Sequence, residues 1–190
     1  MRGRGCCLWV AAVVLSVASC GPGTGPKGSN APARGPQPGL TEAAAGEVNA
    51  ATVKRTVYVP VYPYVYTEDR ARPYNLAATL YVRNTDPSTP LFITSVRLHN
   101  AAGRAVRDDV AKPLRLAPLA AAEFFVEESD TSGGSSASFL VDWAAPGPVN
   151  EPVIETVMVG TLSNQGIAFT CPGRVVERPA ANPVHERPGP

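Results

Sequence analysis

Between Phe124 and Phe139 the chain reads FFVEESDTSGGSSASF, apolar residues on both sides of an acidic, hydroxyl-rich centre that contains glycine. Glu127, Glu128 and Asp130, joined by Glu151 from the Val149-Asn150-Glu151-Pro152 stretch, are the hard oxygen donors that a divalent cation takes; calcium wants six to eight such oxygens. Strand alternation, however, sets Glu127 and Glu128 on opposite faces, and the spacing of a helix-flanked calcium loop is missing. Ser129, Ser132 and Ser135 could act as nucleophiles only with a base in hydrogen-bond reach. The two histidines are His99, at the end of a strand pattern, and His185, and no G-x-S-x-G elbow is present. The same stretch also reads as a plain connection between two β-strands. Ser132-Gly133-Gly134-Ser135 permits turn angles, and the carboxylates ionise at a solvated rim. Arg83, Arg97 and Arg115 are then candidate partners, exposed pairs of this kind contributing about 0–1 kcal/mol.

A second set is aromatic. Tyr58, Tyr62, Tyr64 and Tyr66, followed by Arg70 and Arg72, could stack on a glycan or peptide. An aromatic row at strand spacing also describes half-buried cross-strand packing. Pro60 and Pro63 remove backbone donors and point to an edge or a break, where a partner strand could add. The third candidate is Cys171, a nucleophile, an intermolecular bridge or simply a small residue beside Pro172-Gly173.

These residues must be held by strands. Val57, Val59, Val61 and Val65 alternate with the tyrosines, and Leu76, Ala78, Leu80 and Val82 share one face before the turn sequence Asn84-Thr85-Asp86-Pro87. Leu91 to His99 runs into the hairpin signal Asn100-Ala101-Ala102-Gly103. Further strands are expected at Leu114–Leu116, Glu123–Glu127, Phe139–Trp143, Val153–Thr161 and Ile167–Thr170, the last two around Ser163-Asn164-Gln165-Gly166. No segment sustains a helical period. The expected fold is all-β, a single antiparallel β-sandwich of immunoglobulin-like type over residues 54–170.

The N-terminus sets an expected address. MRGRGCC is basic, LWVAAVVLSVA is an apolar run too short to span a bilayer, and Val17-Ala18-Ser19-Cys20 resembles a bacterial lipobox. That resemblance implies a signal peptide over 1–19, with Cys20 becoming the lipid-modified mature N-terminus. Cys6 and Cys7 would leave with the signal, so Cys171 would have no intrachain disulfide partner. Residues 20–53, rich in glycine, proline and alanine, read as a disordered tether with a reach of ~30 Å, and 171–190 as a proline-rich tail. The net charge of +1 argues against nucleic acid, and no cofactor is expected.

The runs YVPVYPYVY, YNLAATLYVRNTDPSTPLFITSV, KPLRLAPLAAAEFFVEESDTSGGSSASFLVDW and VNEPVIETVMVGTLSNQGIAFT resemble a bacterial family known as domain of unknown function 3124. The resemblance covers nearly all of Lys54 to Thr170. It implies exported, often lipid-anchored proteins without an assigned activity, and a serine more usually at the position of Cys171. The expectation is therefore a non-catalytic, periplasm-facing protein of the bacterial envelope. It would be held through lipid on Cys20, in the outer rather than the inner membrane, and bind or scaffold an envelope protein or small ligand. Cation binding by the Glu127–Asp130 loop and glycan or peptide binding by the tyrosine strand stand as alternatives.

Overall fold

Strand β2, Val53–Val61, carries the alternation that organises the molecule: Val57, Val59 and Val61 are buried while Tyr58 on the opposite side stays exposed. The computed structural model describes residues 37–66, 71–162 and 165–176. The signal segment, Cys20, Arg70 and the chain beyond Val176 lie outside the described residues. In chain order the elements are β1 Leu40–Glu42, α1 Ala45–Asn49, β2, β3 Tyr64–Tyr66, β4 Pro73–Asn75, β5 Ala77–Arg83, β6 Leu91–His99, β7 Ala105–Asp108, β8 Leu114–Leu116, β9 Ala121–Val126, β10 Ala137–Ala145, β11 Val153–Leu162, β12 Gln165–Pro172 and β13 Arg174–Val175.

All pairings are antiparallel, as the alternating sequence leads one to expect. The larger sheet runs β1-β8-β6-β10-β2-β13, with β7 also on β6; the smaller runs β12-β11-β5-β9. A separate ribbon pairs β3 with β4. The core lies between the two sheets. Val59, Leu98 and Phe139 from the larger meet Leu80, Phe124 and Met158 from the smaller, all closed to solvent. Apolar area removed from water in this way supplies the main stabilising force, at roughly 25 cal/mol per Å².

The acidic stretch between Phe124 and Phe139 joins β9, at the edge of the smaller sheet, to β10, in the middle of the larger. It crosses the end of the sandwich in two turns and a short 3-10 segment, Gly134–Ser136.

The folded unit is larger than 54–170. Instead of a structureless tether up to residue 53, β1 pairs with β8, and α1 lies on the outer face of the larger sheet. There Ala43 and Ala51, with Val48, pack on Phe92 and Ala144, small side chains letting the short helix sit close. Glu47 accepts a hydrogen bond from the Ala44 N–H at 3.2 Å and so satisfies one of the free donors of the helix start. The other boundary moves as well: β12 continues through Cys171, and β13 pairs with β2 where a tail was expected. Gly173 makes this crossing possible. A Cβ there would stand 2.6 Å from Val57 Cγ1 and 2.8 Å from the Ile154 carbonyl oxygen. Strand β7 is a further addition, returned by a hairpin in which Gly103 takes φ +75° and the Asn100 side-chain oxygen accepts the N–H groups of Ala102 and Arg104.

At one end of the sandwich, Asn84 and Asp86 form a buried polar node. The Asn84 amide donates to the carbonyls of Thr89 and Ala117 at 2.8 and 3.1 Å. The Asp86 carboxylate accepts the N–H groups of Ser88, Thr89 and Asn150. Three connections, after β5, after β8 and after β10, are thereby laced together.

Candidate binding face

The carboxylates singled out in the sequence do not converge. Strand β9 stops at Val126, so Glu127 opens a turn in which its carbonyl accepts the Asp130 N–H at 2.9 Å. Ser129 donates its hydroxyl to Glu127 at 3.3 Å, an internal turn contact with no histidine in it. Asp130 accepts the Ser132 N–H and faces Arg107 at 3.5 Å. The Ser132 hydroxyl, its N–H and the Arg107 charge hold Asp130 below its ordinary value of 3.8, against burial, which raises it. Glu151 is far away. Its carbonyl takes the Thr85 hydroxyl at the Arg83 end of β5, whereas Glu127 follows the residue paired with Ala78. That separation along a strand is on the order of 15 Å. Among the described residues no three His, Cys, Asp or Glu side chains group as a metal site.

The expected arginine partners are also redistributed. Arg83 lies 3.8 Å from Glu155 and over the Tyr81 ring, Arg115 lies 3.8 Å from Glu47, and Arg97 binds Asp142. Arg107, which has no distinguishing context in the sequence, is the residue that meets Asp130.

Nor do the four tyrosines form one row. Buried Pro63 separates β2 from β3 and breaks the register. Tyr62 turns in against Phe169, with ring centres 6.1 Å apart, while Tyr64 and Tyr66 meet edge to face at 5.7 Å. Tyr58 alone of the four stands on the outer face of the larger sheet, opposite Leu140 and Arg174. Cys171 pairs with Thr156 inside the smaller sheet, half-buried, and burial raises its thiol above the ordinary value of 9.0. That suppresses the thiolate, which is the reactive form.

What the fold does assemble is a groove on the outer face of the larger sheet, 1060 Å³ in volume. Helix α1 bounds it through Val48, and Val176, just past β13, stands at its margin. Its floor follows from strand parity. Phe139 and Val141 point into the core, so Leu140 and Asp142 point out, beside Thr56 of β2 and Arg97 of β6. Asp142 is the hub. One carboxylate oxygen accepts the Thr56 hydroxyl at 2.6 Å, the other accepts Arg97 at 2.9 Å, and its backbone carbonyl accepts the Thr94 hydroxyl at 3.1 Å. A β-bulge between Asp142 and Trp143 aims this group of side chains. Lys54 and Arg55 add two cations to the lining, and Asp142 is its one carboxylate. The Arg97 Nε is buried without a hydrogen-bond partner.

In the sequence Arg97 stands out only as a partner for the wrong carboxylates, and Asp142 does not stand out at all. The available signal was a charge alternating with Val141 and Trp143 in an otherwise apolar strand, set against Thr56 and Arg97 on neighbouring strands.

The described residues thus define an antiparallel β-sandwich with an open groove whose lining mixes charged and apolar side chains. The chain belongs to the family described as protein of unknown function, DUF3124, whose model matches residues 54–176. A comparison with curated proteins found no match. Among solved structures, the chain is similar to one described as the crystal structure of Thermotoga maritima 1070, at 12% identity. That alignment covers 63% of this chain and 92% of the other, with a TM-score of 0.36.

Proposed function

We propose that this is a non-catalytic, lipid-anchored protein of the bacterial envelope. In this reading Cys20 carries the lipid, and the outer groove of the larger sheet binds an acidic ligand or an acidic segment of another envelope component. The observation that carries the binding part is the groove itself. Its one carboxylate, Asp142, is already occupied by Thr56 and Arg97, whereas Lys54 and Arg55 leave cationic character on the lining. Fixed hydrogen-bonding groups on a rigid sheet, flanked by the apolar Leu140, Val48 and Val176, suit recognition of a polar group with an apolar neighbour. Absence of a base beside the turn serines, and a thiol held protonated by burial, favour binding over hydrolysis. The lipobox-like run before Cys20 supports the anchor.

The test is a photo-reactive residue at Leu140 in the full chain, in living cells, with mass spectrometry of what is captured. Capture is expected to fall when Lys54 and Arg55 are both changed to glutamate, and to weaken as salt is raised in membrane preparations. Capture that is equal for the double variant, or equal from a photo-reactive residue at Phe125 on the other sheet, overturns the groove assignment. The anchor is tested separately: Cys20→Ala is expected to leave the chain unprocessed and out of the lipid-modified fraction.

A further inference from the structure

The two long edges of the smaller sheet are treated differently by the fold. At β9 the edge is closed. The Gln37 side-chain amide donates to the Glu123 carbonyl at 3.0 Å and accepts the Glu123 N–H at 2.7 Å, standing in for a neighbouring strand. Arg107 takes the next outward carbonyl, that of Phe125, at 3.2 Å. On the opposite edge, β12 has no such cover among the described residues.

The direction of its backbone groups follows by alternation from Glu123. Because Glu123 bonds outward, Phe124 bonds to Leu80, Tyr81 to Glu155, and Thr156 to Cys171. Gly166, Ala168 and Thr170 therefore turn their N–H and C=O groups away from β11. None of these groups has a hydrogen-bond partner among the described residues. Edges of this kind are usually blunted by charge, bulge or shortness. The segment Gly166–Cys171, GIAFTC, has no charged residue, and its register with β11 is unbroken.

We propose that β12 is a self-pairing edge, and that two copies of this chain join through it into one continuous eight-stranded sheet. The strand is its own complement about a two-fold axis at Ala168. Ala168 then faces Ala168 of the second copy, and Gly166 faces Thr170, so every outward-directed group from 166 to 170 meets an outward-directed partner. An axis between two residues would set outward groups against inward ones, and an axis on Ile167 or Phe169 would pair only two of these three residues with each other. Side chains agree with the backbone. On the outer face the exposed methyl of Ala168 meets its own copy, extending the row that begins with Val159, itself 46% exposed. On the inner face half-buried Ile167 comes beside half-buried Phe169 of the second copy, closing both ends of the core mouth. An uncharged strand brings no like charges together at the axis, and closed two-fold pairing uses up both edges. Cys171 falls opposite Gln165 in this register, so the dimer does not depend on a disulfide.

Two measurements test it on the full chain in detergent. Sedimentation is expected to show a dimer that is lost on Ala168→Lys, which places like charges at the axis, while the melting temperature and far-ultraviolet spectrum are unchanged. With Cys6, Cys7, Cys20 and Cys171 changed to serine, Ala168→Cys is expected to give an oxidised dimer, and Phe125→Cys on the closed edge is not. A monomer in which the Ala168→Cys variant forms no crosslink overturns the proposal, as does a dimer indifferent to Ala168→Lys. Crosslinking of the Ala168→Cys variant to a different protein instead would overturn self-pairing and assign the edge to a foreign strand. Because the groove lies on the other sheet, loss of capture at Leu140 and loss of the dimer are separable results.

Discussion

The side-chain oxygen of Asn84 accepts the backbone N–H of Asp86 at 3.0 Å, and from that short link each residue reaches into a different part of the chain. Asn84 donates to the carbonyl of Ala117, just after β8, while Asp86 receives Asn150 from the connection after β10. The N–H groups of Ser88, Thr89 and Asn150 pull the Asp86 carboxyl well below its ordinary value of 3.8. Hydrogen bonds that favour the ionised form do this because protonation removes an acceptor.

A pH dependence follows. The folded carboxyl is depressed relative to the unfolded one, so its stabilising contribution is present above the unfolded value and is lost as pH falls from about 4 toward the folded value. Melting temperature is expected to drop through that range, and Asp86→Asn is expected to flatten this part of the profile. An unchanged acid limb in the variant would place the dependence on other carboxylates. Asn84→Ala leaves buried carbonyls without a donor and is expected to cost about 3 kcal/mol in denaturant unfolding.

Gly160 in β11 is a second sensitive point. The Tyr74 ring and Leu76 cross it so closely that a Cβ would stand 2.5 Å from Tyr74 Cε1 and 2.8 Å from the Asn75 carbonyl oxygen. Gly160→Ala is expected to destabilise by about 1–3 kcal/mol and to loosen the β3–β4 ribbon, read as reduced proton-exchange protection in Tyr64–Tyr66 and Tyr74–Asn75. Equal protection and equal stability would mean that the ribbon gives way without penalty.

Removing the Gln37 amide should have a local signature. Gln37→Ala takes away two hydrogen bonds to the edge of β9, and a loss of about 1 kcal/mol is expected. Exchange of the Glu123 N–H should accelerate, while that of Phe124, bonded inward to β5, should not. Equal acceleration at both would indicate general fraying of β9.

Cys171 is expected to react slowly. Burial in β12 raises its pKa, so alkylation near pH 8 should be slower than for an unfolded cysteine and should recover when the domain is denatured in urea. Cys171→Ser should retain the fold, since the position faces the margin of the core and is only half-buried. A thiol as reactive as an unfolded one would return a chemical role to this position.

The period-two pattern made the sandwich legible because both sheets bury one face: Val57-Val59-Val61 and Leu76-Ala78-Leu80-Val82 could be assigned to the core by spacing alone. Turn chemistry located the Asn100–Gly103 hairpin for the same local reason. The missed elements have no local reason to exist. Strands β1 and β13 span three and two residues, too short to show a period, and form because β8 and β2 offer them free edges. Helix α1 is too short to show a 3.6-residue period and depends on Phe92 and Ala144, more than forty residues away. The groove escaped notice because Thr56, Arg97 and Asp142 come from three distant strands. The tyrosines, conversely, were grouped by adjacency that Pro63 undoes.

The early start of the folded unit also changes what a lipid on Cys20 would permit. Fully extended, the chain between Cys20 and Gln37 reaches at most about 60 Å, half of the roughly 120 Å available if the leash ran to Lys54. Gln37, moreover, is fastened to Glu123 at the edge of the smaller sheet, so the pull of an anchored chain would enter at that edge. If Cys20 carries lipid, a domain moored in this way would patrol a shallower layer above the bilayer, and any ligand it bound would have to be another resident of that layer, or something long enough to descend into it.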